Sequence, residues 1–147
     1  MKVRAELSKK NPLYISKHKF YTALHYAYQY PEWKESYAEM IGQAQKALDY
    51  DDMPHGNSTG DPTSRIAIRT YKLKGKIDAV ESAAQVAGQE IYEHLLYGVT
   101  HEGITFDYLH SDRCPLGKMA CERTNYYTRR RLFYYLLSQK MDDMELK

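Results

Sequence analysis

Hydrophobic positions recur with helical spacing along most of the chain. The longest run is Ile66, Thr70, Leu73, Ile77, Val80, Ala84, Ala87 and Ile91, separated by 4, 3, 4, 3, 4, 3 and 4 residues. That alternation is a heptad-like seam. It predicts one helix from Pro62 to about Tyr97, about 54 Å long at ~1.5 Å per residue. Asp61 suits its N-cap and Pro62 its first turn. Gly98 suits the C′ position that ends it. Gly75 and Gly88 lie inside the run, and each costs up to about 1 kcal/mol against alanine. They mark kinks or close helix approaches, and the alternative is two helices broken at one of them. A helix of 54 Å (about 36 residues) exceeds what one small core needs. The expectation is therefore in-chain packing over part of it and a homodimer over the rest, through Ile66, Leu73, Ile77, Val80, Ala84 and Ile91.

Earlier in the chain, Ser16 is placed to cap a helix carrying Phe20, Ala23, Leu24 and Ala27 on one face. Tyr30-Pro31 stops it, because the residue before proline avoids helical backbone angles. A second helix carries Trp33, Tyr37, Met40, Ile41, Ala44 and Leu48. Residues 1–50 thus read as a basic arm and a helical hairpin. The stretch 51–61, DDMPHGNSTGD, has no period and reads as a linker. Residues 62–98 are the long helix. Residues 99–147 restart at Thr105 with the short apolar piece Phe106, Tyr108 and Leu109. A turn with Pro115 and Gly117 follows, then a helix with Met119, Tyr126, Phe133 and Leu137 stepping by 7, 7 and 4. Short helix, turn and longer basic helix is a helix-turn-helix layout. No strand pattern competes, so the fold class is all-α.

Composition adds one unusual number, 15 tyrosines in 147 residues. Tyrosine tolerates half-burial, which suits thin cores and interfaces. No stretch approaches the ~20 apolar residues of a membrane span, and MKVRAELSKK leads into no apolar signal segment. A cytoplasmic protein without a membrane partner is expected. The net charge of +2 conceals segregation. Residues 1–20 hold six basic residues and one acidic, while 21–61 hold two basic and seven acidic. Residues 113–140 hold seven basic residues against Glu122 alone. Such a basic cluster is an electrostatic footprint for phosphate.

The run Arg123 to Arg131 carries the most chemistry. On a helix, Lys118, Asn125 and Arg129 form one row, and Thr124, Thr128 and Arg131 another, opposite the Tyr126–Phe133 stripe. Arginine reads guanine bidentately and asparagine reads adenine, while Thr, Tyr and Lys hold phosphates. The candidate DNA-binding residues are Lys118, Arg123, Thr124, Asn125, Thr128, Arg129, Arg130 and Arg131. Asn125 and Arg129 are placed to read bases, and Arg130 and Arg131 to hold phosphate. His110, Cys114 and Cys121 lack the short C-x2-C pair and the fourth ligand of a zinc site, so no metal is expected. No phosphate-binding loop, nucleophile elbow or dinucleotide fingerprint occurs. Neither a catalytic group nor a cofactor is expected.

Three groups of residues carry a resemblance. They are Asn11-Pro12-Leu13-Tyr14-Ile15-Ser16-Lys17-His18 with Gln29-Tyr30-Pro31-Glu32-Trp33-Lys34, then Met53-Pro54-His55 before Asp61-Pro62-Thr63, and Tyr126-Tyr127-Thr128-Arg129-Arg130-Arg131-Leu132-Phe133. The set is similar to the RinA/ArpU-type transcriptional regulators of phages and prophages of Gram-positive bacteria. Their C-terminal part is akin to region 4 of sigma factors. The resemblance implies a DNA-binding regulator of phage late genes with double-stranded DNA as partner. The alternatives are a small terminase-like packaging subunit and a module docking on host RNA polymerase through the acidic residues 32–61.

Overall fold

The computed structural model describes residues 12–49 and 62–145. The expected basic arm, the linker 51–61 and the Asp61 cap lie outside the described residues. Those described are all-α, as the periodicity predicts: six α-helices and one 3-10 turn. None of these helices is long and apolar enough to cross a membrane. The chain divides into two compact units, Tyr30–Asp78 and the remainder on either side of it.

In the larger unit, α1 (Lys17–Tyr28) begins where expected, with the Ser16 hydroxyl oxygen accepting the Lys19 N–H at 3.3 Å. Phe20, Ala23, Leu24 and Ala27 are its buried face. The break at Tyr30-Pro31 is also where expected, with Gln29 alone between α1 and α2 (Tyr30–Asp49). α1 packs on α6 (Arg123–Glu145) and α4 (Tyr92–Thr100), and α2 belongs to the other unit. Phe20 of α1 meets the Tyr134 ring of α6 edge-on at 5.0 Å, a geometry that aromatic pairs favour.

The single long helix is corrected, in favour of the broken alternative. α3 (Pro62–Ala87) ends one residue before Gly88, and a 3-10 turn, Gln89–Ile91, leads into α4. Gly88 takes φ −161 and ψ 77, outside helical backbone angles. A β-carbon on it would lie 3.1 Å from Ile91 Cγ1, 3.3 Å from Leu95 Cδ2 and 3.6 Å from Arg129 Cβ. The chain turns there because α4 and α6 close around that point. Gly98 is not a C′ residue, since α4 continues to Thr100. Its role is close approach: the Tyr126 hydroxyl occupies the place of a β-carbon, with Leu109 Cδ1 3.2 Å away.

The dimerisation seam is corrected with it. Leu73, Ile77, Val80, Ala84 and Ile91 are buried within the single chain, and Ile66 is half-buried. The break shortens the expected rod to 26 residues, about 39 Å at ~1.5 Å per residue. Its apolar face is therefore not a free surface for a second copy. In the smaller unit, α2 and the first part of α3 meet through Thr70 and Met40, whose Oγ1–Sδ distance is 3.9 Å. Lys76 lies 5.5 Å over the Trp33 ring.

The C-terminal segment departs furthest from expectation. α5 (Phe106–Leu109) is a single turn capped by the Thr105 hydroxyl, which accepts the Tyr108 N–H at 3.2 Å. Residues 110–122 then run irregularly to α6, where a helix-turn-helix has a turn of about 3–4 residues. Gly117, at φ +85, closes a turn by donating its N–H to the Cys114 carbonyl at 2.9 Å. Met119 is fully buried from this loop rather than from a helix. Its N–H donates to the Leu109 carbonyl at 2.8 Å, and its carbonyl accepts from His110 Nδ1 at 2.9 Å. That clasp anchors the loop and delays the helix to Arg123.

Gly98→Ala is expected to destabilise the protein by about 1–3 kcal/mol through overpacking, or roughly 2–4 °C of melting temperature per kcal/mol. Tyr126→Phe removes the colliding oxygen, so the double variant should recover most of the loss. Urea melts of the four proteins measure the coupling. Additive single effects would show that Gly98 and Tyr126 do not meet.

Candidate nucleic-acid interface

The direction of each α6 side chain follows from its buried side. Tyr126, Phe133, Tyr134, Leu137 and Ser138 are buried. The expected stripe of Met119, Tyr126, Phe133 and Leu137 is thus buried throughout. Successive helical residues turn by about 100°, so Arg129, Arg130 and Arg131 fan out rather than sharing a face.

Arg129 is half-buried and turns to the end of α3. Its Nη1 donates to the Ala87 carbonyl at 3.3 Å, and Nη2 lies 3.8 Å from Glu90 Oε2. Ala87 is the last residue of α3, where carbonyls lack intrahelical donors and the helix dipole favours a cation. Arg129 is therefore engaged structurally at the end of α3. Arg130 also turns inward, 5.3 Å from the Tyr134 ring centre and 6.0 Å from that of Tyr127. That is cation–π packing. Arg131 is half-buried on the other flank, and its Nε is buried without a hydrogen-bond partner.

The outward surface at the start of α6 consists of Arg123, Thr124, Asn125 and Thr128, all exposed. Arg123 pairs with Asp107 and stacks 5.1 Å over the Phe106 ring. The Thr128 hydroxyl donates to the Thr124 carbonyl at 2.9 Å. Lys118 is exposed but lies in the loop, so its helical row with Asn125 and Arg129 does not form. The structure brings Arg123, Thr124, Asn125 and Thr128 together at the exposed start of α6, with Arg129 one turn beyond Asn125 but held at the end of α3, and Arg130 over aromatic rings. The capping role of Arg129 has no signal in sequence spacing, since its partner lies 42 residues away. His94 likewise carries no such signal; its Nε2 donates to the Gly117 carbonyl at 2.8 Å and ties α4 to the loop.

Burial pushes the Tyr126 phenol far above its ordinary value, against the lowering pull of Arg130. Burial alone takes Tyr26 up to about 12. His110 stacks on Phe106 with ring centres 5.2 Å apart. Cys114 is buried, and burial raises the thiol of half-buried Cys121. Among the described residues no three His, Cys, Asp or Glu side chains group as a metal site would require. No protein-family model, curated protein or solved structure matches the chain.

Arg129→Ala should cost about 1 kcal/mol, since it removes a charged hydrogen bond at a partly exposed site. Thr128→Ala beside it should stay within about 0.5 kcal/mol, like other surface changes. Equal melting temperatures for Arg129→Ala and wild type would remove the capping role. The tyrosines set the alkaline limit. The phenols of Tyr126 and Tyr26 titrate higher when folded than the unfolded value of about 10, so the associated stability is whole below about pH 10 and falls as pH rises above it. Unfolding free energy measured from about pH 8 to about pH 11 should decline at the upper end. Tyr126→Phe should flatten that decline.

Proposed function

We propose that the protein is a cytoplasmic DNA-binding transcription regulator of the RinA/ArpU type, contacting duplex DNA with the start of α6 and the loop before it. The observation that carries this reading is the exposed group Arg123, Thr124, Asn125 and Thr128, with Lys118 nearby in sequence, in a segment holding seven basic residues and one acidic. Recognition helices present their N-terminal residues to base edges, and asparagine is the side chain that pairs bidentately with adenine. Asn125 is the base reader in this proposal. Lys118, Arg123 and Arg131 hold phosphate, while Arg129 and Arg130 support the helix. The sequence resemblance points the same way. A homodimer of this regulator uses surface other than the buried seam. The exposed carboxylates Glu32, Glu35 and Glu39 of α2 are the face offered to host RNA polymerase.

Titration of a mixed-sequence duplex at several salt concentrations tests the proposal. Changing Lys118, Arg123 and Arg131 to Gln should flatten the salt dependence by about 0.9 for each phosphate no longer held. With a duplex selected from a random pool, Asn125→Ala should lower specific over non-specific binding by about 1–3 kcal/mol. A wild-type protein that retains no duplex in low salt would exclude this function.

A further inference from the structure

The first half of α3 carries a second cationic surface. Arg65, Arg69, Lys72 and Lys76 are all exposed and are spaced by 4, 3 and 4 residues. Each immediately precedes a position of the apolar seam, namely Ile66, Thr70, Leu73 and Ile77. The four therefore form one straight row, turned about 100° from the seam and about 16 Å long. Arg65, Arg69 and Lys72 make no ion pair among the described residues, and Lys76 rests over Trp33. Lys74, which has an acidic partner in Asp78 at 3.1 Å, lies off the row.

Three classes of partner attract such a row. A bilayer surface needs the apolar face of the helix turned into the lipid, but Leu73 and Ile77 are already buried. A protein interface draws its energy from buried aromatic and aliphatic anchors. The candidates are Ile68 and Tyr71, 54% and 81% exposed, which lie beside the row rather than within it. A phosphate backbone needs only regularly spaced cations. One strand of duplex DNA carries a charge every ~3.4 Å along its axis, and the row presents a cation about every 5.5 Å, so it meets some of the phosphates it passes rather than each in turn.

We propose that Arg65, Arg69, Lys72 and Lys76 of α3 form a sequence-independent phosphate-binding stripe for duplex DNA, distinct from the α6 surface. This rests on the reading of the protein as DNA-binding and adds a second surface to it. The stripe raises affinity for any sequence and carries no base discrimination.

The test uses the full chain and a mixed-sequence duplex as probe. Arg65→Gln, Arg69→Gln and Lys72→Gln are combined, since all three are exposed and an unchanged melting temperature verifies the fold. The slope of log affinity against log salt should flatten by about 2–3, near 0.9 per phosphate. Tyr71→Ser should leave that slope unchanged. The Lys118/Arg123/Arg131 variant is measured in parallel. Flattening in both variants supports both surfaces. Flattening only in the α3 variant supports the stripe and removes the α6 reading. Flattening only in the α6 variant overturns the stripe and leaves that reading standing. A wild-type chain that binds no duplex in low salt removes both. Suppose instead that the duplex slope is unchanged in the α3 variant, while retention on immobilised polyglutamate disappears both there and in Tyr71→Ser. The row is then a docking face for an acidic protein, and the proposal is overturned.

Discussion

The buried side of α6 governs the C-terminal half of the molecule. Tyr126, Phe133, Tyr134 and Leu137 have almost no solvent exposure, and burial of a large apolar side chain is worth about 1.5–3 kcal/mol. No surface contact of α6 competes with that. Once those four side chains face inward, helical geometry allows no freedom to the rest. Arg129 reaches the end of α3, Arg130 lies over aromatic rings, and Thr124, Asn125 and Thr128 face water. Three adjacent arginines look like one basic patch in the sequence. In the fold they do three different things.

The same burial explains the two glycines of the α3–α4 region. Tyr126 reaches the backbone of α4 where Gly98 has no side chain, and the Arg129 β-carbon sits close to Gly88. Gly88 also leaves helical backbone angles, and so ends α3 with a carbonyl at Ala87 that Arg129 satisfies. The break between the two helices and the cap on the first are one arrangement. A side chain at Gly98 disturbs it by collision with a hydroxyl, whereas one at Gly88 meets Ile91 and Leu95, which are buried.

Charge is distributed by the same logic. Two of the α6 arginines have carboxylates beside them, Arg123 with Asp107 and Arg129 with Glu90. Neutralised in this way, they project a weaker field than their number suggests. The α3 row has no such carboxylate at Arg65, Arg69 or Lys72 among the described residues. Screening at physiological salt acts over about 8 Å, so evenly spaced cations with no carboxylate beside them among the described residues matter more to a polyanion than a paired cluster does.

The periodicity of the chain determined which side of each helix is buried. Phe20, Ala23, Leu24 and Ala27 on α1, Leu73 to Ile91 on the seam, and Tyr126, Phe133 and Leu137 on α6 are all buried as spaced. It also determined the all-α class, the Ser16 cap and the stop at Tyr30-Pro31. These depend on backbone chemistry and on a face defined relative to the helix's own axis, both local properties. Tertiary structure alone decided what covers each face. It set α1 on α6, closed the seam within the chain, and stretched the expected tight turn into the loop 110–122. It also gave Arg129 its contact at the end of α3, because Ala87 is brought to it by the packing of whole helices. A spacing rule describes how residues share one helix face. It has no term for the shape of the surface that the face will meet.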